Sequence, residues 1–385
     1  MNAPRLVGTD FGGPRNADLL LLGPSLGTSA AALWAPAAAR LATHLRVVGW
    51  DLPGHGRSPA APFRIPDLAA GVLALADEIA PQARFHYAGN SIGGTVGLQL
   101  LLDAPARLSS ATLLCTGAAI GRAPDWAVRA AAVRASGTGA LVDSALQRWF
   151  APDFASRAPR QVAAVADALR RTDDESYAQA CEALAAFDVT TQLGRITAPV
   201  LAIAGSEDIA TPAESLGRIA TGVQHGRLVV LDGVAHLAPL EAPMAAANLI
   251  LNHLLVRDPQ HTAGMAVRRS VLGDAHVDRA IARTTDFTAD FQDLITRYAW
   301  GSIWTRDGLD RRSRSIVTLT ALVARGHHEE LAMHLRAARR NGLSNDEIKE
   351  VLLQTAVYCG VPDANTAFRI AAQVLADYDQ SDGIG

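Results

Sequence analysis

A glycine-flanked serine is the feature that most constrains this chain. Residues Gly89-Asn90-Ser91-Ile92-Gly93-Gly94 follow the apolar run Arg84-Phe85-His86-Tyr87-Ala88 and lead into Thr95-Val96-Gly97-Leu98-Gln99-Leu100-Leu101-Leu102. The pattern reads as a strand, a G-x-S-x-G turn and a helix. A nucleophilic serine works best at such a turn, where its Oγ stands clear of the backbone and the helix N-terminus faces a developing oxyanion. Glycines at 89 and 93 are what so tight a turn sterically requires.

The partners of a serine nucleophile follow in order. Pro199 to Gly205 reads as a buried parallel strand, with Ser206-Glu207-Asp208 at its carboxyl end. Arg227 to Leu231 reads as another strand, followed by Gly233-Val234-Ala235-His236. Ser, then Asp, then His is the chain order of α/β-hydrolases. His236 is the expected base for Ser91, and Asp208 fixes its tautomer and stabilises the imidazolium. Glu207 is the competing acid, with a solvated loop carboxylate as its plainer reading. An oxyanion hole needs two backbone N–H groups. Ile92 supplies one, and Leu26 the other, in the loop Gly23-Pro24-Ser25-Leu26-Gly27-Thr28 after the strand Leu19 to Leu22. In Trp50-Asp51-Leu52-Pro53-Gly54-His55-Gly56-Arg57-Ser58, Asp51 and His55 read as braces of a loop, since the triad is already complete.

These segments carry a resemblance. From Leu19 to about Leu255 the chain resembles an α/β-hydrolase, and P-S-L-G-T, D-L-P-G-H-G-R-S and G-N-S-I-G-G together are similar to the 3-oxoadipate enol-lactonases of aromatic catabolism. The resemblance implies a small anionic enol-lactone opened to a dicarboxylate. Residues about 118–195 interrupt the strand series with Ala/Arg-rich helical spacing, which suggests a helical cap over the serine. Trp126, Trp149 and Phe150 are candidates to shape the pocket, or simply cap core. An anionic lactone needs a cationic partner, and Arg134 and Arg148 are the candidates. Ser25 and Trp149 are further candidate substrate contacts.

The length of 385 residues exceeds what one core organises. The hydrolase domain is expected to span 1–256 and a polar, Gly/Pro-marked linker 257–264. Residues 265–385 read as an all-helical domain. Net charge is −3, and Lys349 is the sole lysine among 35 basic residues, which argues against nucleic acid as a partner. Cys115, Cys181 and Cys359 suggest no disulfide framework. With no signal pattern and no long apolar run, a cytoplasmic protein without a membrane partner is expected.

In the second domain the sharpest segment is His327-His328-Glu329-Glu330-Leu331-Ala332-Met333-His334. Helical spacing places His327, Glu330 and His334 on one face. A cofactor-free acid–base site can be built from them. The spacing matches no zinc-hydrolase pattern, and an exposed helix with Glu–His pairing is the plainer alternative. Trp304 to Arg314 precedes an apolar helix, Ile316 to Ala324. Asn341-Gly342 stops the next helix, Ser344-Asn345-Asp346-Glu347 is a capping box, and Tyr358-Cys359-Gly360-Val361-Pro362 follows.

This series, about residues 265–377, resembles 4-carboxymuconolactone decarboxylases. Related peroxidase-reducing members carry C-x-x-C-x-x-x-H on this helix. Here His327 and Glu330 stand at the two cysteine positions and His334 at the histidine, which excludes thiol redox chemistry there. The resemblance implies loss of CO2 from a γ-carbon, leaving a dienolate that needs a ring-oxyanion stabiliser and a proton donor. His334 near an unperturbed pKa of about 6.5 is the expected acid, with Glu330 orienting it or sharing the proton and His327 as the other candidate. Arg312 or Arg314 could hold a carboxylate, and Tyr358 is a further candidate contact.

The two resemblances join chemically, since protonating that dienolate gives the enol-lactone. A bifunctional enzyme of protocatechuate breakdown through the β-ketoadipate pathway is the resulting expectation. Its partners are small carboxylate-bearing lactones, and it is expected to be a homo-oligomer through the C-terminal domain. The rivals are a serine esterase or haloperoxidase-like hydrolase of other specificity, and a C-terminal domain serving only oligomerisation. Dehalogenation is disfavoured, because that chemistry needs Asp where this chain has Ser91.

Overall fold

The computed structural model describes residues 3–254 and 259–382, and the chain separates into two compact units, Met1–Leu255 and Val256–Gly385. The first unit is built on seven strands: β1 Gly8–Gly12, β2 Leu19–Gly23, β3 Arg46–Trp50, β4 Phe85–Asn90, β5 Leu108–Leu114, β6 Val200–Gly205 and β7 Gly226–Leu231. They form one sheet in the order β1-β3-β2-β4-β5-β6-β7. Only the β1–β3 pair is antiparallel. Central strands β2, β4 and β6 are buried along their whole length, as a parallel sheet covered on both faces requires. Helices Ala30–Leu41, Ile65–Ile79, Ile92–Asp103, Ala213–Gly222 and Pro243–Leu254 belong to this layer.

Between β5 and β6 the chain leaves the sheet for a helical cap. It comprises helices Ala123–Ser136, Val142–Trp149, Phe154–Arg157, Pro159–Arg170 and Asp174–Ala185, then the 3-10 turn Thr190–Arg195. Asp173 ends one helical segment and caps the next, its side chain accepting from Ser176 N at 2.9 Å.

The second unit is helical: Pro259–Leu272, Asp274–Ala282, Asp286–Ile295, a π-helix Thr296–Trp304, Arg311–Arg325, His328–Arg340, Asn345–Cys359 and Val361–Asp382. Its core gathers Leu319, Val323, Leu331, Leu335, Leu343, Ile348 and Leu352. The capping box is present, with Glu347 N donating to Ser344 Oγ at 3.1 Å and Ser344 N donating to Glu347 Oε2 at 2.8 Å. The linker expectation needs correction. Arg257 and Asp258 lie outside the described residues, but Pro259 to Gly264 are the first turns of a helix. Proline suits such a start, since a first-turn N–H has no intrahelical acceptor and its absence costs nothing. Among the described residues, no helix is long and apolar enough to cross a membrane.

Candidate active sites

Ser91 sits between β4 and the helix Ile92–Asp103 at φ +55°, ψ −118°. For a non-glycine residue this conformation stores strain on the order of 1–3 kcal/mol. The neighbouring backbone holds it there. Ser91 N donates to Leu114 O at 2.9 Å, and Thr116 Oγ1 donates to Ser91 O at 2.7 Å. A Cβ at Gly89 would meet Gly93 O at 2.3 Å, and one at Gly93 would meet Pro24 O at 2.6 Å. These two contacts explain the glycines of the motif, because the helix start is pressed against the β2 loop.

Asp208, just beyond β6, reaches His236, just beyond β7: Oδ2 lies 2.9 Å from Nδ1. Both are buried. Burial works against the Asp208 charge, but His236 and the Thr211 hydrogen bonds outweigh it, so its pKa falls below the ordinary carboxylate value. The Thr211 hydroxyl donates to Oδ2 at 2.6 Å, while Ala210 N and Thr211 N donate to Oδ1 at 2.8 and 3.0 Å. With Nδ1 engaged, Nε2 is the imidazole nitrogen available to take a proton. Glu207 is exposed.

Ser91 and His236 line one cavity of about 330 Å³ with Ser25, Leu26, Trp126, Arg129, Arg148, Trp149 and Tyr177. Among the described residues, neither Leu26 N nor Ile92 N has an acceptor, so both remain able to bind an oxyanion. The Ser25 hydroxyl is also buried without a partner. Cap and histidine loop are tied together: His236 N and Leu237 N donate to Trp149 O at 3.1 and 3.3 Å, and Asn90 Nδ2 donates to His236 O at 3.1 Å. Glu241, unnoticed in the sequence, accepts Ala235 N at 3.1 Å and Ala151 N at 3.0 Å, bracing the same junction. Burial raises its pKa.

Arg148 lines this cavity, but Arg134 does not. Arg134 bonds Glu175 at 2.7 Å and Glu182 at 2.6 Å on the cap surface. The cavity's second cation is Arg129, whose guanidinium lies 5.7 Å from the Trp126 ring centroid. Its i+3 spacing from Trp126 was the available signal. Among the described residues, neither Arg129 nor Arg148 pairs with a carboxylate. Phe150 is buried and stacks on Phe154 at 5.0 Å, which makes it cap core. Asp51 accepts from Ala30 N at 2.7 Å and Arg57 N at 2.9 Å, and His55 Nδ1 lies 3.0 Å from Pro53 O. Both brace the β3 loop.

In the second unit, His334 is half-buried on the helix His328–Arg340, and Glu330 and His327 are exposed. Burial pushes the His334 pKa down to about 4, with Glu330 opposing and His276 reinforcing the shift. This corrects the expectation of an imidazole near its ordinary pKa. His334 is neutral at pH 7. The arginine candidates are otherwise engaged. Arg312 bonds the Gly342 carbonyl and Glu347. Arg314 donates to Arg306 O at 2.7 Å and Leu309 O at 3.1 Å. Both fasten the loop and capping box around their helix, and Tyr358 is 79% exposed.

Residues 18–243 match the family described as alpha/beta hydrolase fold. The chain belongs to that family. Residues 289–373 match the carboxymuconolactone decarboxylase family, so the chain is a fusion of the two. The hydrolase unit is 36% identical over 236 residues to 3-oxoadipate enol-lactonase 2 of Acinetobacter baylyi, covering 60% of this chain and 87% of that protein. The C-terminal unit is 44% identical over 120 residues to the 4-carboxymuconolactone decarboxylase of the same organism, covering 31% and 90%. Among solved structures, the enol-lactonase from Burkholderia xenovorans superimposes with a TM-score of 0.62 at 35% identity, covering 65% of this chain and 96% of that one.

Proposed function

We propose that this hydrolase–decarboxylase fusion converts 4-carboxymuconolactone to 3-oxoadipate in two successive steps. In the C-terminal unit the γ-carboxylate leaves as CO2. Its bonding electrons pass through the ring double bond to the lactone carbonyl oxygen, and a proton is added at the α-carbon to give the enol-lactone. Neutral His334 gains that proton when the dianionic substrate lies beside it, because an adjacent negative charge favours imidazolium. Glu330 orients it.

In the hydrolase unit Ser91 Oγ attacks the lactone carbonyl as His236 takes its proton. Leu26 N–H and Ile92 N–H receive the oxyanion. Ring opening expels the enolate, which takes a proton on carbon and becomes a ketone. Water then releases 3-oxoadipate from the serine ester. Arg129 and Arg148 hold the substrate carboxylate, with Trp149 and Ser25 at the wall beside it.

The observation that carries this reading is the cavity itself. A serine held clear of its backbone shares about 330 Å³ with two guanidinium groups that have no carboxylate partner among the described residues. A general esterase pocket has no use for two such charges. The C-terminal unit also assembles copies of the chain, a reading supported by exposed Phe287, Val357, Tyr358 and Val361 at 96, 75, 79 and 73%. The test is to supply 4-carboxymuconolactone to the intact chain. One equivalent each of CO2 and 3-oxoadipate is expected. CO2 without 3-oxoadipate, or neither product, contradicts the reading.

A further inference from the structure

The C-terminal unit buries a positive charge that, among the described residues, no carboxylate neutralises. Arg268 is 5% exposed. Its guanidinium donates to Thr296 Oγ1 at 3.2 Å and Gln292 Oε1 at 3.0 Å, both uncharged, and its Nε is buried without an acceptor. The acids at hand go to its neighbour, since Arg269 bonds Asp274 at 2.9 Å and Asp278 at 2.7 Å. Burial and then Arg269 push the Arg268 pKa down, and no carboxylate pulls it back. A buried guanidinium is ordinarily paired, because desolvating an unpaired charge is costly.

The surroundings of Arg268 are also unusual. Thr296 opens the π-helix Thr296–Trp304, a backbone form that is rare and concentrated at functional sites. Helix Pro259–Leu272, which carries Arg268, packs on that π-helix and on the helix of His334. Arg340 Nη1 donates to Leu272 O at 2.9 Å, fastening the end of the His334 helix to the end of Pro259–Leu272, one residue before Gly273 caps Asp274–Ala282. His276 lies in the first turns of that last helix. Burial, and then the charges of Arg279, Arg268, Arg340 and Arg336, push the His276 pKa down. His276 and His334 are near enough for charge on one to disfavour charge on the other.

We propose that His276 and Arg268 complete the His334 site as the groups that bind a dicarboxylate lactone, with Arg268 taking one carboxylate and His276 donating a hydrogen bond to the other. The dianion supplies the countercharge that Arg268 lacks. The Arg268 charge also favours the oxyanion formed as CO2 departs. Arg312 and Arg314, engaged elsewhere, leave this role open. The inference rests on the decarboxylase reading of this unit.

The test uses the full chain and the saturated lactone 2-carboxy-5-oxotetrahydrofuran-2-acetate, whose ring lacks the double bond that must accept the electrons. In wild type it inhibits CO2 release competitively. In H276Q and R268Q the inhibition constant and the KM for CO2 release both rise about ten- to a hundredfold, the weight of a hydrogen bond to a charged group. R268K restores part of the loss, while helix content and enol-lactone hydrolysis mark an intact fold. An H276Q chain with wild-type KM and inhibition constant overturns the proposal, even if R268Q fails to fold. A wild-type chain that releases no CO2 contradicts the decarboxylase reading instead. In that case a His276-dependent rise in the unfolding temperature of the C-terminal unit with the saturated lactone still supports the binding site, and no rise sinks it.

Discussion

In the hydrolase unit each reactive side chain stands just past the carboxyl end of a strand, whereas in the C-terminal unit the candidate groups ride on helices. Ser91 follows β4, Asp208 follows β6 and His236 follows β7. The sheet register therefore fixes their spacing before any side chain packs. His334, by contrast, sits on a helix that packs on Pro259–Leu272, and its protonation is governed by burial and by the charges of Glu330 and His276. A triad on strand ends is preorganised by backbone. A histidine among arginines depends on its ligand for charge balance, and should be the more sensitive of the two to salt, pH and substrate charge.

The sharpest way to break this comparison is at Ser91. S91A should lower enol-lactone opening by about 10⁴–10⁶ while CO2 release continues, because the nucleophile serves only the acyl step. Accumulation of enol-lactone by ultraviolet absorbance reads the result. Next comes H334A, which should lower CO2 release about 10²–10⁴-fold, the usual weight of a positioned acid, without touching lactone hydrolysis. E330Q should be milder if the glutamate only orients the imidazole.

The arginines give a smaller, graded effect. R129Q and R148Q should each reduce kcat/KM for enol-lactone about 10- to 100-fold through a lost charge-assisted pair. R134Q, which breaks only an exposed ion pair, should change it less than about twofold. A loss at R134Q equal to that at R129Q would return Arg134 to the site.

The smallest effect concerns acid. His55 and His253 in the first unit and His334 in the second are each held by burial near pKa 4, below the ordinary 6.5. Between those values the unfolded chain takes a proton that the folded one refuses. Stability should therefore be full above pH 6.5 and fall, as pH drops, by about 1.4 kcal/mol per pH unit for each histidine. Urea unfolding from pH 7 to 5 should show stability falling with acid in both units, since burial also lowers the pKa of His261 and His276 in the second. H334Q should flatten only the slope of the C-terminal unit.

Legibility in the sequence followed the same division. The Ser91 turn, the order of Asp208 and His236 and the β2 loop were readable because a tight backbone turn demands glycine at fixed offsets. Helical spacing gave the His334 helix, and the Ser344–Glu347 capping box was readable for the same local reason. Arg129 was not legible as a cavity cation, and Arg134 was not legible as a surface one, because composition cannot say which face of a cap helix turns inward. Arg268 and His276 left no local signature, since they precede His334 by some sixty residues and join it only through helix packing. Pro259 to Gly264 looked like a linker because proline and glycine mark both breaks and helix starts.

The central claim is that two sites in one chain perform consecutive steps, and mixing two variants tests it most directly. S91A supplied with 4-carboxymuconolactone should release one equivalent of CO2 and stop at enol-lactone. Adding H334A, itself slowed at least about a hundredfold in CO2 release, should then convert that enol-lactone completely to 3-oxoadipate. If S91A alone forms 3-oxoadipate, or if H334A cannot finish the reaction, the division of labour between Ser91 and His334 is wrong.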